Sequence, residues 1–337
     1  MKGIKRIISI VILVGLVAFL LGPKPPEPQL SKDLPSLSTN LASIASFVER
    51  KQAGVHVKPD NESRIFWASD SLRQRTEYCV LYLHGFSASW YEGYPAHVTF
   101  AREFGFNLYA PRLYDHGLVS DDALLNMTPD NLWESAKEAL MVARSLGKKV
   151  IIMSTSTGGT LGLKLAADFP EYVDALILYS PNIRINNSSA FVLTKPWGLQ
   201  IARKITGSKY RTSNEDAESE DCKYWNCKYR LEALVYLQQL VEATMKKETY
   251  EKVTVPVFLG YYYKDEAHQD ETVRVDAMLK MFNQLGTVSG EKVKVAFPEA
   301  GQHVIACEMT SGAVDAVIAE TIDFGINILE LTPEMQQ

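Results

Sequence analysis

Short runs of consecutive apolar residues alternate along this chain with longer stretches whose apolar positions recur every three or four residues. From about residue 64 the two patterns take turns to the end. Residues 64–68, 78–83, 106–111, 150–153, 174–179, 253–261 and 293–297 read as strands, and 95–104, 128–146, 161–169, 275–285 and 311–331 as helices. Thr128-Pro129-Asp130 supplies an N-cap followed by proline at the first helical position, and Gly147 ends that helix. The strands are apolar nearly throughout, so both faces of their sheet must be covered. Helices interleaved with such strands predict an α/β fold, a mostly parallel sheet flanked by helices. Residues from about 186 to 250 break the alternation and read as helices plus a polar loop at 208–221. An excursion of that length between strands is no ordinary loop. It reads as a helical cap inserted over the C-terminal edge of the sheet. Its aromatic residues Phe191, Trp197, Tyr210, Trp225, Tyr229 and Tyr236 either line a pocket or pack the cap on the core.

The start of the chain has a different pattern. Lys2, Lys5 and Arg6 precede an almost unbroken apolar run over residues 7–21. A positive head followed by such a run describes a secretory signal, and the charge keeps the head in the cytoplasm. The run is shorter than the ~20 residues that span a bilayer comfortably. It is followed by no small-x-small cleavage site and by no cysteine near Gly22. Residues 1–22 are therefore read as a signal peptide or a short N-terminal membrane anchor. Either way the body is expected to be exported, periplasmic or extracellular. The segment Pro23-Lys24-Pro25-Pro26-Glu27-Pro28 opens a stiff linker over residues 23–40, and residues 41–335 form the folded domain. In an oxidising compartment Cys222 and Cys227 are placed to form a local disulfide. Cys79, in a strand, and Cys307, in a helix-like segment, read as buried thiols.

At 337 residues, 46% apolar and 22% charged, the chain is long enough for one large α/β domain. Its net charge of −5 is spread without a dominant run. There is no basic stripe and no zinc-spaced Cys/His set, which argues against nucleic acid as a partner.

The chemistry concentrates where predicted strands end. Val150-Ile151-Ile152-Met153 runs into Ser154-Thr155-Ser156-Thr157-Gly158-Gly159 and then a helix. This is the strand–turn–helix setting of a G-x-S-x-G nucleophile elbow, with Ser154 in place of the first glycine. Such a turn tolerates little bulk two residues either side of the nucleophile. Ser156 has Ser154 and Gly158 there, whereas Ser154 would have Ile152, so Ser156 is the candidate nucleophile. His84-Gly85-Phe86 ends another strand, and the backbone N–H groups of Phe86 and Thr157 are placed to form an oxyanion hole. Gly301-Gln302-His303 follows the last predicted strand. Imidazole has the near-neutral pKa a general base needs, and His56, His97 and His116 lack that strand-end placement. Two acids follow the strand at 253–261. Counting forward from Pro256 favours Asp265, and counting back from the next helix favours Asp270. Asp270 is preferred, with residues 264–269 then a small insertion.

In the order Ser, acid, His, these residues resemble the α/β-hydrolase family, especially bacterial carboxylesterases and monoacylglycerol lipases. His84-Gly85-Phe86-Ser87-Ala88-Ser89 is similar to their HGF(S/T)-type loop. Pro111-Arg112-Leu113-Tyr114-Asp115-His116-Gly117 is similar to their PRLxGHG segment, with Tyr114-Asp115 where Pro-Gly is more usual. The likeness covers about residues 64–330 apart from the cap. It implies an α/β-hydrolase fold and a serine hydrolase cleaving carboxylic esters, with Ser156, Asp270 (or Asp265) and His303 as triad and no metal or organic cofactor. The implied substrate is a small-molecule ester or lipid-like molecule. Amide or peptide cleavage and acyl transfer are alternatives on the same residues, and a non-catalytic binding protein is the alternative from another class.

Overall fold

The computed structural model describes residues 2–213, 216 and 218–334. Residues 214, 215 and 217, inside the polar loop expected at 208–221, lie outside the described residues, as do Met1 and residues 335–337. Seven strands form the central sheet: β1 (Arg64–Phe66), β2 (Thr76–Leu83), β3 (Asn107–Ala110), β4 (Gly147–Thr155), β5 (Ala175–Tyr179), β6 (Val257–Tyr261) and β7 (Lys292–Ala296). Their order is β1-β3-β2-β4-β5-β6-β7. β1 runs antiparallel to β3, and every other pair is parallel.

Both faces of each central strand are buried, with period two. Cys79, Leu81 and Leu83 of β2, Val150 and Ile152 of β4, and Leu176 and Leu178 of β5 join one core. Val80 and Tyr82, Ile151 and Met153, and Ile177 and Tyr179 from the same strands join the other. The first core is closed by helices Leu41–Arg50, Pro129–Leu146, Thr157–Asp168, Leu231–Thr244 and Val275–Gln284. Helices Ala96–Glu103 and Val314–Asn327 close the second. Element ends move where local chemistry intervenes. Strand β6 begins after Pro256, which has no N–H for the ladder. The elbow helix starts at Thr157, directly after the turn.

Two expectations about organisation are corrected. The insertion was expected to reach about residue 250. Helix Leu231–Thr244 instead packs on helices Pro129–Leu146 and Thr157–Asp168 and contributes Leu237 and Leu240 to the first core. The cap proper thus spans about 186–230. It holds a 3₁₀ turn (Ala190–Thr194), helix Gly198–Thr206, a ribbon pairing Tyr210–Thr212 with Lys228–Arg230, and helix Glu220–Tyr224. Residues 23–40 were expected to be a stiff, extended linker outside the fold but form a strap lying on the body. The Asp130 carboxylate accepts the N–H groups of Gln29 and Leu30 at 2.8 and 2.7 Å. The Ser31 carbonyl accepts from Trp133 Nε1 at 2.7 Å and from the buried Lys137 ammonium at 2.9 Å. Leu30, Leu34 and Leu37 pack against the core. Extended proline-rich chain exposes its carbonyls, and here buried donors of the helix beneath take them.

Ahead of the strap lies helix Lys2–Leu20, whose described apolar side chains are exposed. Among the described residues no helix is long and apolar enough to cross a membrane.

Candidate active site

The parallel register brings three strand ends together. Leu83 pairs with Ser154 and Ser154 with Leu178, so β2, β4 and β5 leave the sheet side by side. At the end of β4, Ser156 adopts φ 53° and ψ −116°, a conformation that L residues rarely hold. The surroundings fix it. Ser156 N–H donates to the Tyr179 carbonyl at 3.0 Å, and its own carbonyl accepts from Gly159 and Asn182 at 2.9 Å each. The turn has no room for side chains at its glycines. A Cβ on Gly158 would lie 1.9 Å from the Leu83 carbonyl oxygen, and one on Gly159 would lie 2.6 Å from Pro181 Cβ. Ser154, fully buried, fits in place of the usual glycine because Gly159 and Gly162 of the following helix face it.

β2 delivers the second wall. His84 is fully buried. Its Nε2 accepts the Leu113 N–H at 3.1 Å, so its Nδ1–H donates to the Gly85 carbonyl at 2.9 Å. Burial and the neighbouring His116 hold this imidazole well below its usual pKa, and it acts as a neutral brace for the turn. The next residue, Phe86, lies against the cap, its ring edge-on to Tyr229 with centroids 5.0 Å apart. Ser87 follows with φ 62°, and its carbonyl accepts the cap's Asn226 N–H at 2.7 Å. Thr157 opens its helix, where the first amide N–H groups have no partner within the helix.

The candidate acid and base come from the far side of the sheet. Asp270 Oδ2 lies 2.6 Å from His303 Nδ1, and Oδ1 accepts the Thr272 and Val273 N–H groups at 2.8 and 3.0 Å. Asp270 is 2% exposed, and these bonds leave its carboxylate one orientation. The structure does not bring Asp265 to His303. Residues 263–269 form a small hairpin (Tyr263–Asp265 against His268–Gln269) that carries Asp265 into solvent, where it pairs with His268 Nδ1 at 2.8 Å. Burial alone would lower the His303 pKa. The charge and hydrogen bond of Asp270, with a contribution from Glu92, outweigh it and leave the imidazole above its usual value. His303 Nε2 is buried with no hydrogen-bond partner among the described residues. A neutral imidazole held this way presents a lone pair to whatever proton donor approaches.

The cap holds a cavity of about 530 Å³ with a mainly apolar wall that includes Ile185, Val192, Leu193, Ile201, Leu231 and Tyr229. Of the six aromatic residues singled out in the sequence, Tyr229 lines this cavity and touches Phe86. Tyr210 instead binds Asp122 at the cap's base. Tyr236 lies on the core helix, and Phe191 and Trp197 are exposed. Cys222 and Cys227 are joined in a disulfide, Cα atoms 5.4 Å apart, and Cys79 and Cys307 are free and buried. One residue escaped the sequence reading. Glu92, 2% exposed, takes the Gly85 N–H at 2.5 Å. Its signal was a lone carboxylate within the aromatic run Trp90-Tyr91-Glu92-Gly93-Tyr94.

The sequence profile described as "Alpha/beta hydrolase family" matches residues 80–317. A chain from a study of the metagenome-derived lipolytic enzymes LipS and LipT superposes with TM-score 0.63 at 17% identity, covering 80% of this chain and 98% of its own. The putative non-heme bromoperoxidase BpoC of Mycobacterium tuberculosis gives TM-score 0.54 at 13% identity, covering 81% and 98%. A monoacylglycerol lipase of Paleococcus ferrophilus gives 0.50 at 14% identity, covering 76% and 98%. At these identities the likeness speaks for the fold. No curated protein matched by sequence.

Proposed function

Because the chain belongs to the α/β-hydrolase family, we propose that it is a serine hydrolase cleaving carboxylic esters through an acyl-enzyme on Ser156. The observation that carries the reading is the strained Ser156 backbone at a strand–helix junction, kept against its conformational cost. In this mechanism Ser156 Oγ attacks the ester carbonyl carbon while its proton passes to His303 Nε2. Asp270 stays ionised, holds the imidazole tautomer and stabilises the imidazolium. The amide N–H groups of Phe86 and Thr157 take the charge that develops on the carbonyl oxygen, each worth about 10²–10³ in rate. His303 then protonates the leaving alkoxide, and water, deprotonated by the same nitrogen, releases the acid. The apolar cavity behind Tyr229 supports an ester with a hydrophobic acyl group.

The test is Ser156→Ala against short p-nitrophenyl esters and a fluorophosphonate probe. The wild type should turn over and label, and the variant should do neither. A variant that still labels removes Ser156 from the role, and a wild type that never labels points to the binding-protein alternative. Product analysis with competing amides and alcohols separates ester hydrolysis from amide cleavage and acyl transfer. We further propose that residues 1–22 direct export. The cations at the start of helix Lys2–Leu20, ahead of its exposed apolar run, and the Cys222–Cys227 disulfide support this. Recovery of the native chain only from the cytoplasm would contradict it.

A further inference from the structure

Glu92 sits in the one-turn helix Trp90–Gly93, away from the residues given roles above, yet its carboxyl reaches the centre of the site. Oε2 accepts the Gly85 N–H at 2.5 Å and lies 3.4 Å from the Tyr82 hydroxyl, which is also 3.0 Å from Thr155 Oγ1. The glycine between shows how tight the packing is. A Cβ on Gly85 would stand 2.7 Å from Glu92 Oε1 and 3.0 Å from Ser156 Cβ. Glu92 Oε1 and the serine Cβ thus both crowd the same face of Gly85. The groups that face this carboxyl come from every neighbouring element: Tyr82 from β2, His303 and Cys307 from the last loop, and Trp225 from the cap. No arginine or lysine is among these facing groups. A buried carboxyl without a cationic partner is costly, which makes its retention beside a reactive serine informative.

We propose that Glu92 is a positioning residue of the active site: its carboxyl fixes the Gly85 peptide, and with it the Phe86 N–H, and supplies His303 with a second acidic neighbour besides Asp270. The turn is braced on both sides of the Gly85 Cα. Glu92 holds the His84–Gly85 peptide by its N–H, and His84 holds the Gly85–Phe86 peptide, which bears the Phe86 N–H, by its carbonyl, so the two planes that set the Phe86 N–H direction are each fixed. Electrostatically Glu92 acts through His303. Its negative charge favours the imidazolium, the form that appears when Ser156 gives up its proton. Burial raises the Glu92 carboxyl to about 7, so its charge is present on the alkaline side of neutrality, where a His303 base is also unprotonated and able to act.

This inference rests on the Ser156 reading, and the experiment separates the two. Wild type, Glu92→Gln and Glu92→Ala are compared for fluorophosphonate labelling and for kcat and KM on a p-nitrophenyl ester from pH 5 to 9. Glutamine keeps an acceptor for the Gly85 N–H but removes the charge. Alanine removes both. Glu92→Ala should lose about 10²-fold in kcat, as for a displaced oxyanion donor, with KM little changed. Glu92→Gln should recover most of that loss while its acid limb moves down by about 0.5–1 pH unit, because His303 has lost an anionic neighbour. An acid limb in Glu92→Gln that coincides with the wild type overturns the inference. So does a Glu92→Ala enzyme with wild-type kcat. Either result with a fully labelled wild type leaves the Ser156 reading standing. A wild type that neither labels nor turns over removes both.

Discussion

Two aspartates five residues apart occupy opposite circumstances, one buried against an imidazole and one on the tip of a hairpin. Asp270 is locked by two amide N–H groups and by His303, whereas Asp265 is exposed and bonded within its own turn. Asp270→Asn should therefore lose about 10⁴-fold in kcat, the order seen when a triad acid can no longer hold the imidazole tautomer. Asp265→Asn should stay within about twofold. Initial rates on one ester measure both, and equal losses would refute the assignment. The pH profile follows from the direction of the His303 shift. The base must be neutral to accept a proton, so activity falls as pH drops through its pKa. That pKa is raised, so the acid limb should lie above the ordinary imidazole value of about 6.5. At this scale the placement of Ser156 at the centre of the turn was legible because steric bulk is written in the sequence: Ile152 cannot stand where Ser154 stands. The acid was not decidable by counting, because a hairpin of seven residues changes the count without changing the site. Glu92 was missed because its one local signal, the aromatic residues around it, does not by itself tell a buried carboxylate from a solvated one.

At the level of elements, the sheet was readable because its strands are apolar on both faces and bounded by glycine, proline and polar turns. The cap boundary was harder to read. Helix Leu231–Thr244 and helix Gly198–Thr206 both alternate apolar and polar positions, and only packing shows that the first covers the sheet while the second does not. The short disulfide-closed segment has a definite task among these elements. Its carbonyls at Cys222 and Trp225 bind Lys58 Nζ at 2.6 and 2.9 Å, and its Asn226 N–H holds the Ser87 carbonyl in the turn after β2. Replacing both Cys222 and Cys227 by serine should cost about 2 kcal/mol, the loop-closure term for so short a loop. Denaturant titration of the two proteins reads this directly. Equal midpoints would mean that the cap loop is held by its hydrogen bonds alone.

For the molecule as a whole, proline content made the strap legible as stiff and extended but not as docked. Docking depends on Asp130, Trp133 and Lys137 one turn apart on a distant helix, and no local pattern links them to residues 29–33. Chains beginning at residue 23 and at residue 39 separate the two parts of the N-terminal region. The first keeps every strap contact and should unfold with the Tm of the full chain. The second strips the Lys137 ammonium of the Ser31 and Asp33 carbonyls, leaving it the Glu134 carboxylate at 2.8 Å, and should lose about 3 kcal/mol, two hydrogen bonds to a charged group. Indistinguishable melting of all three chains would show that the strap adds nothing. The strap's contacts with the body begin at Pro23, whose carbonyl takes the Trp197 N–H, and continue at Pro26 with Gln239. A cut at residue 22 therefore severs none of them. Under the export proposal, removal of residues 1–22 would release helix Lys2–Leu20, whose Ala18 carbonyl takes Trp197 Nε1 at 3.4 Å, and leave the strap and the sheet it covers as they are, so processing would change where the chain goes and not how it folds.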